Sequence, residues 1–285
     1  MDIIQNVKQA YDRLLEQFEN INSNEAWVRF LQFQAKFHHY SFNNTLLIMA
    51  QKQSASFVAG YVRWQRLGMC VKSGERAIKI FAPLVGKQLN DKTKEEVIVI
   101  KGYRLASVFD ISQTKANDEN AAVPEVINGL AEHPIPNEEL FWAIAGQVGI
   151  PVALDENLYA KGIYCSGDKK ISVNADYTWT QKIKTLIHEY AHHLVDTEGI
   201  DLGRSTEEMV VESIGFIVSD YLGFDTAKYS IPYLGSWGKD TDTLWRCAET
   251  IQRLSSTIIQ KYIQSKSVEN AFFNTGNEEE IQNVG

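Results

Sequence analysis

His188-Glu189-Tyr190-Ala191-His192, set among Leu186, Ile187 and Leu194, fits the pattern HExxH inside an amphipathic helical stretch. On a helix, positions 188 and 192 lie one turn apart on one face. Both imidazoles then converge on a single ion while Glu189 projects beside them toward an attacking water. Leu186, Ile187, Ala191 and Leu194 give the same helix an apolar side to bury. His193 points about 100° away from His192 and reads as a packing or surface histidine.

A catalytic zinc site needs a third protein ligand and an open fourth position. Sixteen residues after His192 stands Glu208, within Glu207-Glu208-Met209-Val210-Val211-Glu212, a second helical pattern. Glu208 and Glu212 are again one turn apart. The expectation is that Glu208 ligates, Glu212 orients a ligand imidazole, and Glu207 faces solvent. The implied chemistry is amide hydrolysis: zinc lowers the pKa of a bound water toward ~7, Glu189 takes its proton, and the ion polarises the scissile carbonyl. Lys170 to Asn174, just before the helix, is a candidate edge strand for an extended peptide. Tyr164, Tyr229 and Tyr233 are oxyanion candidates by residue type alone.

Outward from this motif the chain divides. Val7 to Phe18, Trp27 to Phe37 and Asn43 to Lys52 read as helices, followed by one or two helical turns at Tyr61 to Leu67. Strand character then takes over: Met69 to Lys72, Ala77 to Ala82 ending at Pro83, a polar turn at Asn90-Asp91, and a β-rich run from Val97 to Val108. Periodicity is lost after Ser112 and Asn, Asp, Pro and Gly collect until about Pro136. A helix at Glu138 to Val148, short strands at Pro151 to Leu154, Gly162 to Ser166 and Lys170 to Val173, and helices at Trp179 to Val195, Thr206 to Tyr221 and Asp240 to Ile263 complete the pattern. The expected class is α+β. Residues 1–116 form helices plus a small antiparallel sheet, 117–136 a linker, 137–265 the metal-bearing domain and 266–285 a frayed polar tail.

With 44% apolar and 22% charged residues in 285, the composition is that of a soluble globular protein. There is no apolar run of the ~18 to 20 residues a membrane span needs, and the opening Met1-Asp2-Ile3-Ile4-Gln5 lacks a signal-peptide pattern. A cytoplasmic location without membrane partners is expected. Cys70, Cys165 and Cys247 are far apart and odd in number, the mark of reduced thiols.

The net charge of −8 hides a split. Residues 1–116 hold 16 Lys+Arg against 10 Asp+Glu, a balance of +6, and residues 117–285 carry −14. Ten basic residues lie between Arg63 and Arg104, opposed only by Glu75, Asp91, Glu95 and Glu96, with Tyr61, Trp64, Phe81 and Tyr103 interleaved. Cations that track phosphates beside rings that stack on bases form the pattern of a single-strand binder, although aromatics in a small domain more often build its core. Arg63, Trp64, Arg66, Lys72, Arg76 and Lys79 are the candidate DNA contacts.

Tyr40-Ser41-Phe42-Asn43-Asn44-Thr45-Leu46-Leu47-Ile48, Gly60-Tyr61, Trp64, Gly68 and Val71 to Ile80 resemble the N-terminal domain of the ArdC antirestriction proteins of plasmids and conjugative elements. Gly162 to Ser166 with Asp168 and Ile171, the His188 motif, Glu207-Glu208 with Glu212, and Tyr233 to Trp237 resemble that family's metallopeptidase domain. The resemblance runs from about Tyr40 to Leu254. It implies a domain that binds single-stranded DNA joined to a zincin-like domain, carried on mobile DNA and protecting it in a new host. By motif position it implies His188, His192 and Glu208 as zinc ligands and Glu189 as general base. His193 departs from the aromatic common in relatives, and Met1 to Asn24 matches no motif. The expected function is therefore an antirestriction-type zinc metalloendopeptidase that acts on DNA-bound protein. The alternatives are a DNA-coating protein with a structural metal, or a peptidase that cleaves one regulatory protein.

Overall fold

A computed structural model describes residues 24–89, 96–117, 136–225 and 241–265. In chain order the elements are α1 (Asn24–Lys36), α2 (Phe42–Gln51), β1 (Val58–Gly60), α3 (Tyr61–Arg66), β2 (Met69–Val71), β3 (Ile78–Leu89) and β4 (Glu96–Asp110). A 3-10 turn at Ile111–Gln113 leads to β5 (Thr114–Ala116). Beyond it come α4 (Glu138–Ala145), β6 (Val152–Asp155), β7 (Gly162–Cys165), β8 (Lys170–Asn174), α5 (Trp179–Thr197), α6 (Arg204–Tyr221) and α7 (Thr241–Ser265). The α+β class expected from the sequence holds. The helix expected at Val7 to Phe18, the Asn90-Asp91 turn, most of the 117–136 segment and the 266–285 tail lie outside the described residues.

The described residues form two compact units, one within 43–124 and one within 16–42 and 125–267. The first is built on a three-stranded antiparallel sheet in the order β1-β4-β3, beside a two-stranded pair of β2 and β5. Asp110, fully buried at the end of β4, ties its loops together. Its carboxylate accepts from the backbone N–H groups of Ser56 (2.8 Å), Phe57 (3.2 Å) and Ser112 (3.0 Å), and its own N–H donates to Gln113 Oε1. A carboxylate so fully hydrogen-bonded is tolerated where a bare one would be costly.

Strand β3 does not stop at Pro83, as the sequence suggests, but runs through it to Leu89. The backbone N–H groups of Lys79 and Phe81 point away from β4 and donate to Gln51 Oε1 (2.9 Å) and Asn44 Oδ1 (2.8 Å). Pro83, two residues further on, shares their orientation, so its missing N–H is lost from the outer side and not from the ladder. The Asn44 and Gln51 amides also donate to the Phe81 and Lys79 carbonyls, both at 2.8 Å, and so stand in for a neighbouring strand along this edge.

In the second unit β6-β8-β7 form a mixed sheet, β6 parallel and β7 antiparallel to β8. Lys170 to Asn174 is therefore the central strand, which corrects its reading as an edge; the edges are β6 and β7. Val152, Ile171 and Val173 lie on the paired β6 and β8, which explains why so short a central strand is almost wholly apolar on its inner side. Ile183, Leu186, Ile187, Tyr190 and Ala191 of α5 are fully buried, as are Val210, Val211, Ile214 and Ile217 of α6. Helix α1 belongs to this unit: Trp27 is buried and its indole N–H donates to Ser213 Oγ of α6 (3.2 Å). Past the end of α1 the carbonyls of Phe37, His38 and Tyr40 accept from the buried Gln252 amide of α7.

Candidate metal centre

Thr178 caps α5, its hydroxyl accepting from Gln181 N–H, and the helix then runs 19 residues with its apolar stripe inward. His188 and His192 emerge one turn apart, ring centroids 4.9 Å from each other. Helix α6 presents Glu207, Glu208 and Glu212 to them. Nε2 of His188 and Nε2 of His192 each lie 3.7 Å from a carboxylate oxygen of Glu208. The opposite nitrogens are held from outside: His192 Nδ1 by Glu207 at 2.8 Å and His188 Nδ1 by Glu212 at 3.4 Å.

Ligand atoms from His188, His192 and Glu208 all lie within 4.8 Å of one another, a group that could hold a metal ion. Two observations fit a divalent cation there. Both imidazoles aim one nitrogen at a common point while a carboxylate fixes the other, the arrangement that sets tautomer and ring orientation around metals. Four carboxylates also crowd two rings. Burial, and then the Glu208 charge, push the Glu212 carboxyl up to about 7, and burial followed by His192 brings the His188 imidazole down to about 4. A neutral His188 keeps its lone pair free to ligate, and a cation would relieve the acidic crowding.

Glu189, between the two histidines on α5, faces β7 beside the cluster. Its carboxylate is buried, which raises its pKa, and it accepts a 2.7 Å hydrogen bond from the backbone N–H of Tyr164 on β7. The edge strand approaches this closely because Gly162 has no side chain. A Cβ there would overlap Thr185 Cγ2 and lie 3.1 Å from Glu189 Cγ and 3.2 Å from its Oε1.

Tyr164 does not offer its hydroxyl to an oxyanion, since it donates to Asp196 Oδ2 (2.5 Å) and accepts from Lys169 Nζ (3.2 Å). Lys169 also pairs with Asp196, and together they fasten β7 and the turn after it to α5. His193 is nearly buried beside this group, its Nδ1 3.4 Å from the Tyr164 hydroxyl, in a packing position. Tyr229, Tyr233 and the Tyr233 to Trp237 motif lie outside the described residues. Glu207, expected to face solvent, instead holds His192. The Tyr164 N–H leaves no residue-type signal, though a glycine inside a strand marks close approach by another element.

The candidate DNA contacts all lie in the first unit and have different fates. Trp64 is corrected: it is 0% exposed, and its indole N–H donates to the Phe109 carbonyl (2.9 Å), so its ring belongs to the core and offers no stacking face. Arg63 lies over the Phe57 ring, 5.9 Å from its centroid, and Lys72 Nζ donates to the Ser112 carbonyl (2.8 Å). Lys79 Nζ donates to Ser107 Oγ (2.6 Å), while Arg66 and Arg76 sit at exposed positions.

Fold and site together define a class: an α+β protein whose paired helices bring two histidines and a glutamate to one point. Residues 2–122 match the family model of the N-terminal domain of anti-restriction factor ArdC. The fold is similar to that of the antirestriction ArdC protein from plasmid R388. Its metal-free structure is 16% identical with a TM-score of 0.51, covering 93% of this chain and 99% of that one. Its Mn(II)-bound structure is 15% identical with a TM-score of 0.50, covering 92% and 98%. An uncharacterized protein of Bacillus anthracis is 27% identical over 99% of this chain, which spans 56% of that relative's length. Among the described residues no helix is long and apolar enough to cross a membrane.

Proposed function

We propose that this chain is a zinc-dependent metallopeptidase of an antirestriction system carried on mobile DNA, brought by its basic N-terminal domain to single-stranded DNA, where it hydrolyses bound protein in the cytoplasm. The single observation that carries the peptidase reading is the convergence of both Nε2 atoms on Glu208 with Glu189 held separately beside them. In this reading residues 1–116 bind DNA and 137–265 form a zincin-like hydrolase.

His188, His192 and Glu208 would hold the ion, with Glu212 and Glu207 orienting the two imidazoles. When bound, zinc supplies electrophilic polarisation of the scissile carbonyl and acidifies water. Glu189 takes the proton from the attacking water and returns it to the leaving amine. Burial raises its carboxyl toward the range a general base needs, while the Tyr164 N–H fixes which way it faces.

The test is cleavage of a protein bound to single-stranded DNA. Chelation should abolish cleavage and zinc should restore it, whereas cleavage that survives complete metal removal rejects the assignment. Gly162→Ala should force β7 away from α5 and break the Tyr164–Glu189 hydrogen bond. We expect kcat/KM to fall roughly 10- to 100-fold with metal content unchanged, since small misplacements near the reacting centre are costly. Gly162→Ala/Thr185→Ser, which removes the overlapped methyl, should recover part of the rate. Full activity in the single variant would show that the close approach plays no part.

A further inference from the structure

Glu189 and Asp196 stand seven positions apart on α5. At about 100° per residue they share nearly one face, separated by about 10 Å of helix rise. Tyr164 of β7 binds both. Its backbone N–H donates to Glu189 Oε2 (2.7 Å), and its phenol O–H donates to Asp196 Oδ2 (2.5 Å). Between these ends its ring lies against His193, the helix residue midway along that face, with centroids 5.4 Å apart. One residue thus spans two turns of α5, with its main chain at the buried carboxylate and its side chain at the far one.

The far end is reinforced. Lys169 Nζ donates to the Tyr164 hydroxyl (3.2 Å) and pairs with Asp196. It arrives from the β7–β8 turn with φ at 49°, the only non-glycine residue with positive φ among the described residues. A residue with a Cβ disfavours that conformation, and the bonds Lys169 makes offset it. Lys169 and then Tyr164 hold the Asp196 carboxyl below its ordinary range, so it accepts as an anion, and hydrogen bonds to an ionised acceptor are the strong ones.

The two ends do different work from Gly162. The glycine lets β7 approach α5, but closeness alone leaves the strand free to shift along the helix axis. The bond to Asp196 fixes that axial position, and with it the direction of the Tyr164 N–H.

We propose that the Tyr164 side chain, with Asp196 and Lys169, is a positioning device for Glu189: it sets β7 along α5 so that the Tyr164 N–H holds the carboxylate in the orientation that proton transfer needs. This rests on the peptidase reading, in which Glu189 is the general base.

The test is Tyr164→Phe in the full chain, assayed with zinc on protein bound to single-stranded DNA and, metal-free, by NMR amide exchange. We expect kcat to fall about tenfold with KM and metal content unchanged, because a small error of aim at the reacting centre is enough. Exchange of the residue 164 amide should accelerate at least about tenfold as the strand opens locally. Thermal unfolding should barely move, since the hydroxyl's bonds lie at the surface. In a Glu189→Gln background Tyr164→Phe should lower kcat no further, because no base is left to aim. Lys169→Gly, which suits the left-handed turn, should lower kcat in the same sense without loss of stability. If the wild type cleaves and Tyr164→Phe matches it in kcat, the positioning role is refuted and the peptidase reading stands, whatever the amide does. An equal loss in the Glu189→Gln background would also overturn it, since the effect would then not pass through the base. If the wild type cleaves nothing, the peptidase reading itself falls and takes the positioning role with it.

Discussion

Glu189→Gln should reduce cleavage of DNA-bound protein about 10²- to 10⁴-fold, the range supplied by a positioned general base, while metal content and single-strand binding stay at wild-type levels. Glutamine matches glutamate in shape, and its Oε1 can still accept from the Tyr164 N–H that now binds the carboxylate at 2.7 Å. The packing against Gly162 and Thr185 is likewise kept. What is lost is the capacity to take a proton. Steady-state cleavage assays with metal analysis of the same preparation separate this from loss of the ion, and undiminished cleavage would sink the assignment of Glu189. The same variant tests how protection of DNA arises. If it protects DNA as well as the wild type does, coating suffices and hydrolysis serves another end.

The site was more legible in the sequence than its surroundings, for physical reasons. Helical periodicity and the one-turn spacing of His188 and His192 can be read from residue types alone, because helix geometry converts spacing into direction. Tertiary choices have no such local code. Glu207 and Glu208 are adjacent, and which of them meets an imidazole depends on the rotation of α6 against α5; both do, at different rings. Pro83 looks like a strand end until Asn44 and Gln51, distant in sequence, show that its side of β3 needs no ladder donor. Lys170 to Asn174 carries no mark of being central, since that depends on β6 joining it in parallel from the far side of β7. Trp64 sits in a stretch as basic as any in the chain, yet its ring is taken by Phe57 and the Phe109 carbonyl. Phe81 and Tyr103 are exposed because alternation along paired strands puts them opposite the buried Ile80 and Ala106. Composition located the basic, aromatic domain; only strand register sorts its rings into core and surface.

His188→Ala should strip the protein of its metal, whereas Glu207→Gln and Glu212→Gln should retain it more weakly. The alanine variant leaves only His192 and Glu208 of the converging donors, too few for a catalytic ion that depends on three protein ligands. It also leaves the half-buried Glu212 without the imidazole that stands 3.4 Å away. The glutamine variants keep every converging atom but weaken the grip on the outer nitrogen of one ring, a change that typically costs about 10- to 100-fold in metal affinity. Competition for zinc against a chromophoric chelator measures all three on one scale. The expected order is wild type, then the two glutamine variants, then His188→Ala with no zinc retained after desalting. Full retention by His188→Ala would place the ion elsewhere. Wild-type affinity in both glutamine variants would show that the carboxylates of α6, other than Glu208, do not hold the rings for a metal.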